Sequence, residues 1–204
     1  MSIFITFEGG EGAGKSTQIK KVYDYLRERH IPPLMTREPG GTPEAEHIRS
    51  LLVQGDVNRW DAKTEVLLMN AARRDHIIKV IRPALETGKW VLCDRYIDST
   101  QVYQGYSKGI DITQLNQIHE FTCEDIWPHL TFILDINPEI GLQRAASRLE
   151  NKKENRFEEM DKSMHQKVRE GFLKLAQNNP ARCVLIDATL DCETVFSCIK
   201  AEID

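Results

Sequence analysis

The sequence predicts an α/β fold: five strands in a mostly parallel sheet, flanked by helices on both faces. Three observations carry that expectation. Five short β-branched or apolar runs recur along the chain, stretches of helical period separate them, and a glycine-rich loop joins the first run to the first helix. With 204 residues and 41% hydrophobic content, the chain suits one well-cored domain spanning 1–204.

The first run, IFITFE, ends at Glu8. The helix after it places Ile19, Val22, Tyr23 and Leu26 at i, i+3, i+4 and i+7, which is one buried stripe. PPLMTRE, Pro32 to Glu38, is the second run. A long helical stretch from about Ala62 to Glu86 follows, on which Met69 and Arg73 share a face while Arg74 points about 100° away. Pro83 is expected to kink its end. WVLCDR, Trp90 to Arg95, leads into polar residues on a helix, and TFILDI and CVLIDA complete the strand set. Between these last two, Arg144, Arg148, Lys152 and Arg156 recur every four residues. They would line one face if the segment is helical, and a mobile lid over about 144–160 is expected there. A solvated helix laced with ion pairs to Glu150, Glu154, Glu158 and Glu159 is the plainer alternative.

A formal charge of -4 gives no global basic field for a nucleic-acid backbone, so any anion must meet a local site. No leader-like segment and no membrane-length apolar run is recognised. Five cysteines without a C-x-x-C pair read as reduced thiols, which makes a cytoplasmic location the expectation.

Gly9 to Ser16 fits G-x-x-x-x-G-K-[ST] in full, after a strand and before a helix. The candidate nucleotide-binding stretch is Gly9, Gly10, Glu11, Gly12, Ala13, Gly14, Lys15, Ser16 and Thr17. Glycines let backbone N–H groups turn inward around a phosphate chain, and the helix start adds a partial positive charge. Lys15 can reach the outer phosphates, and the Ser16 hydroxyl can ligate the Mg²⁺ that accompanies a nucleoside triphosphate. An N-K-x-D guanine reader is missing, since ENKKEN lacks the Asp, and this weighs against a GTPase switch. Asp94 and Arg95 end the third strand, where such sheets open into the binding crevice. There an Asp can sit beside the metal and an Arg beside a phosphate; a structural ion pair is the alternative.

The segments FEGGEGAGKSTQ, TREPGGTP, AARRDH, DRYIDSTQVYQG, NRFE and VLIDA together resemble thymidylate kinases of the bacterial type, over essentially the whole chain. The resemblance implies a P-loop kinase fold that transfers the γ-phosphoryl of ATP to dTMP, giving dTDP, with Mg²⁺, in a cytoplasmic homodimer. It further implies that Arg95 clamps the dTMP phosphate, Asp94 holds Mg²⁺ and Arg73 reads the thymine edge. Ser99 and Thr100 would contact the base, Tyr103 would crowd the sugar 2′ position, and Gln104 would lie nearby. Glu11 would approach the acceptor sugar or its metal, where some cation or hydroxyl must offset its charge. Pro39 would shape the acceptor-phosphate side. Met69 departs from the family, which usually stacks an aromatic there. Either thymine is held more weakly, another residue shares the stacking, or Met69 packs in the core. No arginine stands within the cradle, so the lid would supply one to the transferring phosphoryl, Arg148 and Arg156 first, with Arg144 at the adenine or structural. Asp187 would help to form the adenine pocket. Rival readings are another nucleoside-monophosphate or deoxynucleoside kinase on this scaffold, and a nucleotide-dependent sensor module.

Overall fold

The computed structural model describes residues 2–147, 156–157 and 159–204. Its strands are β1 (Phe4–Glu8), β2 (Pro33–Arg37), β3 (Trp90–Asp94), β4 (Leu130–Asp135) and β5 (Cys183–Asp187). They form one all-parallel sheet in the order β2-β3-β1-β4-β5, as the five apolar runs lead one to expect. β1 is central and buried along its whole length, so both of its faces need covering.

In chain order the helices are α1 (Lys15–Glu28), α2 (Pro43–Val53), α3 (Ala62–His76), α4 (Arg82–Glu86), α5 (Ile97–Thr100), α6 (Ile112–Cys123), α7 (Pro138–Ala146), α8 (Lys162–Asn178) and α9 (Cys192–Ile203). α1 and α9 cover one face. They bury Ile19, Val22, Leu26, Val195 and Ile199 against Ile5, Phe7 and Phe132, with Tyr23 partly buried beside them. On the other face, Ile77, Ile81 and Ile97 pack on Phe4 and Val91, and Val168 and Phe172 of α8 pack with Ile133 and Val102.

The stretch from Ala62 to Glu86 is helical throughout, but a π-helical turn, Ile77–Ile81, separates α3 from α4. Pro83 explains its place. A proline ring crowds the carbonyl four residues back, and widening the turn just ahead of it is one way to make room. A second π turn, Gln101–Tyr106, follows α5 and buries Tyr103 and Gln104. The single basic face expected through Arg144, Arg148, Lys152 and Arg156 is not formed by the described residues. α7 stops at Ala146 and Arg156 lies in a turn. Residues 148–155 and 158 of the expected lid lie outside the described residues.

Candidate active site

β1 and β3 are neighbours in register Phe7 to Asp94, so their C-terminal ends bring the glycine-rich loop and the Asp94-Arg95 turn to one edge. Gly14 caps α1 in the left-handed conformation, φ 91°, with no side-chain cap. The first N–H groups of the helix are therefore open to an anion. Gly12, at φ 68°, touches α7 backbone to backbone, and a Cβ there would stand 1.9 Å from the Gly141 carbonyl oxygen. Lys15 is buried and folds back, donating to the carbonyls of Gly9 at 3.2 Å and Gly10 at 2.9 Å. Burial and then Arg95 push its pKa down, against Glu11, Asp94 and Glu8. Ser16 Oγ donates to Asp94 Oδ2 at 2.9 Å. This hydroxyl and carboxylate converge at the cavity mouth as oxygen-only donors, a set that fits Mg²⁺. Thr17 is exposed on the first turn of α1.

Arg95 has a backbone φ of 66°, unusual for a large side chain and a form of strain that clusters at functional sites. Its surroundings hold it there. Its N–H donates to the Phe7 carbonyl at 3.0 Å, and the next residue's N–H, of Tyr96, donates to Glu8 at 2.7 Å. The guanidinium donates to Gly9 O at 3.0 Å, Ser99 Oγ at 3.1 Å and Glu11 Oε1 at 2.6 Å, and its carbon lies 5.3 Å from the centre of the Tyr103 ring. Burial alone would raise the Glu11 pKa, but Arg95, Lys15 and the Tyr103 hydroxyl outweigh it and hold it below the usual range. Arg95 is thus the cation that offsets the carboxylate within the cradle.

Glu8 was not singled out by its sequence context. It is fully buried and accepts from the Tyr96 N–H and, at 2.5 Å, from Ser99 Oγ, so Ser99 serves the Arg95 turn from the cavity wall. Burial first and then Asp98 raise its pKa from 4.5 to about 7, against the pull of Arg95. Asp98 in turn takes a bidentate grip from Arg182, at 2.6 and 2.8 Å. The folded state therefore binds the Glu8 proton more tightly than the unfolded chain does. That contribution to stability is full below about 4.5 and is lost as pH rises through about 7. In urea titrations, the unfolding free energy of wild type minus that of Glu8→Gln should fall across this window. A flat difference would contradict the placement of Glu8.

Opposite the cradle, a cavity of about 370 Å³ is lined by Glu11, Gly12, Ala13, Gly14, Lys15 and Ser16 on one side. Pro39, Met69, Arg73, Asp94, Arg95, Ser99, Thr100, Tyr103 and Gln104 line the rest, so nearly all the expected acceptor-side residues meet here. Gly9 and Gly10 line a smaller hollow behind the cradle. Arg73 is buried, donating from Nε to Glu38 at 2.7 Å and from Nη2 to Thr100 Oγ1 at 3.0 Å, while Nη1 has no partner. Burial opposes its charge, but Glu38 wins and keeps the guanidinium pKa raised. Glu38, which the sequence did not mark, also bonds His76 Nδ1 at 3.1 Å. Gln104 donates from Nε2 to Glu65 at 2.8 Å, and its Oε1 is buried without a partner. Met69 reaches the cavity wall, so it is not purely a core residue. Phe157 lines the same cavity, edge-on to Tyr103 with ring centres 5.7 Å apart, and is a second aromatic that the sequence reading missed.

The lid arginines fare differently. Arg148 lies outside the described residues. Arg156 is only 1% exposed and does not line the cavity, donating to the carbonyls of Leu52, Asp56 and Val57 and, at 2.6 Å, to Glu65. Where Arg156 was expected to supply charge to a phosphoryl group, its donors in this arrangement anchor the chain to the end of α2. Arg144 donates to the Ala188 carbonyl at 3.0 Å, beside Asp187, whose carboxylate closes its own turn through Thr189.

An anion cradle at a helix start, facing a second arginine-lined pocket across the end of a parallel sheet, defines a P-loop phosphotransferase. Comparison with known proteins narrows that class. The thymidylate kinase family model matches residues 7–199. A thymidylate kinase of Bradyrhizobium diazoefficiens is 51% identical over 192 residues, covering 94% of this chain and 84% of that protein. One of Magnetococcus marinus is 47% identical over 201 residues, covering 98% and 95%. The crystal structure of thymidylate kinase from Ehrlichia chaffeensis superposes with a TM-score of 0.79 at 33% identity, covering 100% of this chain and 99% of that one. The chain belongs to the thymidylate kinase family.

Proposed function

We propose that the chain transfers the γ-phosphoryl of ATP to dTMP, giving dTDP and ADP. The observation that carries this reading is a pair of unsatisfied groups on two residues that line the acceptor cavity, the Arg73 Nη1 donor and the Gln104 Oε1 acceptor, both covered while no base is bound. A thymine edge presents the complement, an accepting C4 carbonyl beside a donating N3–H. Cytosine presents the reverse. Each buried polar group left unmet costs about 1–3 kcal/mol, so the wrong edge forfeits two contacts at once.

Arg95 holds the acceptor phosphate, which takes Nη2 from Glu11 and uses the neighbouring Nε–H as well, so that the planar fork grips two oxygens together. An acceptor phosphate oxygen then attacks Pγ as the bond from Pγ to the β-phosphate oxygen breaks, with no covalent enzyme intermediate. Lys15 swings from Gly9 and Gly10 to the outer phosphates. Ser16 and Asp94 would hold Mg²⁺, which when bound would neutralise phosphate charge. Tyr103 walls the sugar, and Pro39 and Thr100 hold the acceptor side. Arg148 carries the lid's charge to the phosphoryl, with segment 144–160 closing over a chain that works as one unit, 1–204.

The active form is a homodimer. Leu67, 63% exposed, and Ile78 present an apolar stripe along α3 and the turn after it, and Phe121 on the adjacent α6 is 87% exposed. A cytoplasmic location suits the five free thiols.

Coupled ADP release over a panel of monophosphates tests the assignment. dTMP should support turnover, dUMP less, and dCMP should fall short in kcat/KM by more than about a hundredfold. Release with dCMP and none with dTMP would overturn it.

A further inference from the structure

Glu65 lies in the first turn of α3, fully buried and outside the cavity wall. Its carboxylate gathers donors from three other places in the chain: Arg156 Nη2 at 2.6 Å on Oε1, and on Oε2 both Lys108 Nζ at 2.7 Å and Gln104 Nε2 at 2.8 Å. One cation would have balanced the charge, and two are present. The amide is the odd member, and it alone touches the acceptor cavity.

We propose that Glu65 is a positioning residue that selects the acceptor base by fixing which end of the Gln104 amide meets it, a role that rests on the dTMP reading above. An amide can present either a donating NH₂ or an accepting oxygen, and nothing in its own shape chooses between them. Glu65 chooses. Its Oε2 is an acceptor, so Oε1 of Gln104 turned toward it would set two acceptors face to face in a buried space, whereas Nε2 makes a bond. The carbonyl oxygen is left without a partner, on a side chain that lines the acceptor cavity; once a bound base displaces the groups that now cover it, it can meet N3–H of thymine but opposes the N3 lone pair of cytosine. Glu65 also ties Arg156 in place, and the next residue, Phe157, is thereby presented to the cavity beside Tyr103. Base selection and the return of the lid segment meet at one carboxylate.

The test is the ratio of kcat/KM for dTMP to that for dCMP, measured in wild type and in Glu65→Gln. The new side chain keeps one oxygen, which Arg156 claims, and turns an NH₂ toward Gln104; Lys108 Nζ, now 2.7 Å from that position, loses its acceptor and turns to solvent, to which its side chain is already 19% exposed. Gln104 then accepts from it and offers its own NH₂ to the base. The ratio should fall by about tenfold or more, chiefly through a raised KM for dTMP. In a Gln104→Met background the same substitution should leave the ratio unmoved. A folded Glu65→Gln enzyme that keeps the wild-type ratio, or that loses activity equally on both substrates, overturns the proposal. Should Glu65→Gln fail to fold, Glu65→Asp carries the same test: its shorter carboxylate, held by Arg156, withdraws from Gln104, and an unchanged ratio overturns the proposal equally. Absence of dTMP turnover in wild type is a separate result, seen before any substitution; it removes the acceptor reading and this inference with it.

Discussion

Arg95→Ala should lower kcat/KM for dTMP by about 10³-fold or more while the affinity for ATP changes little. The guanidinium stands between the cradle carbonyl of Gly9, the hydroxyl of Ser99 and the carboxylate of Glu11, on the acceptor side of the phosphates. It is largely shielded from water and held by Gly9 and Ser99, so once the acceptor phosphate has displaced Glu11 it needs little further reorganisation when charge develops on the transferring group. The left-handed turn beneath it is held by backbone bonds to Phe7 and Glu8, not by its own side chain, so the fold should survive the change. Arg95→Lys should restore little, because an ammonium is a point charge that cannot span two phosphate oxygens in a fixed plane. Steady-state kinetics with each substrate varied in turn reads this out. A loss below about tenfold, or one that appears only in the KM for ATP, would remove Arg95 from the acceptor phosphate.

What the sequence made legible was local. The five strands, the buried stripe of α1 and the cradle each depend on residues within a few positions of one another, and spacing reports them directly. Asp94 and Arg95 could be placed because strand ends say which way a side chain projects, whereas the helix face paired Arg73 with Met69 and only the family resemblance put Arg73 at the acceptor base. The missed residues act across long separations. Glu8 meets Ser99, Arg182 meets Asp98, and Glu38 meets Arg73 and His76, all buried partnerships that no periodicity encodes. The π turns shift the hydrogen-bond register by one residue, and apolar spacing is too coarse to show that. The spacing of Arg144 to Arg156 carries the same limit: an i, i+4 pattern is informative only within one continuous helix, α7 ends ten residues before Arg156, and Arg148 and Lys152 lie outside the described residues.

That displacement makes Arg156 a stability residue, and Arg156→Ala should cost about 3–5 kcal/mol of unfolding free energy. Its Nε, Nη1 and Nη2 serve the carbonyls of Asp56 at 2.9 Å, Leu52 at 2.9 Å and Val57 at 2.8 Å, and Nη2 also serves Glu65. Alanine would take a donor from the carbonyls of Leu52 and Val57, leave Asp56 with only the Arg59 N–H, and leave Glu65 with only Lys108 and Gln104. The guanidinium also sits at the C-terminal end of α2, where a cation opposes the helix dipole, so its loss is felt there as well. Water entering the vacated space can recover part of the hydrogen bonding but not the packing. Against a total of about 5–15 kcal/mol for a typical domain, a loss of this size moves the urea midpoint visibly. Arg148→Ala should show the opposite pattern, with turnover reduced more than about tenfold and the midpoint unmoved. If instead Arg156→Ala depresses kcat while the midpoint stays put, its bonds to the end of α2 are expendable. The lid's charge would then come from Arg156 after it leaves Glu65, and the burial of Arg156 would mark only the open state.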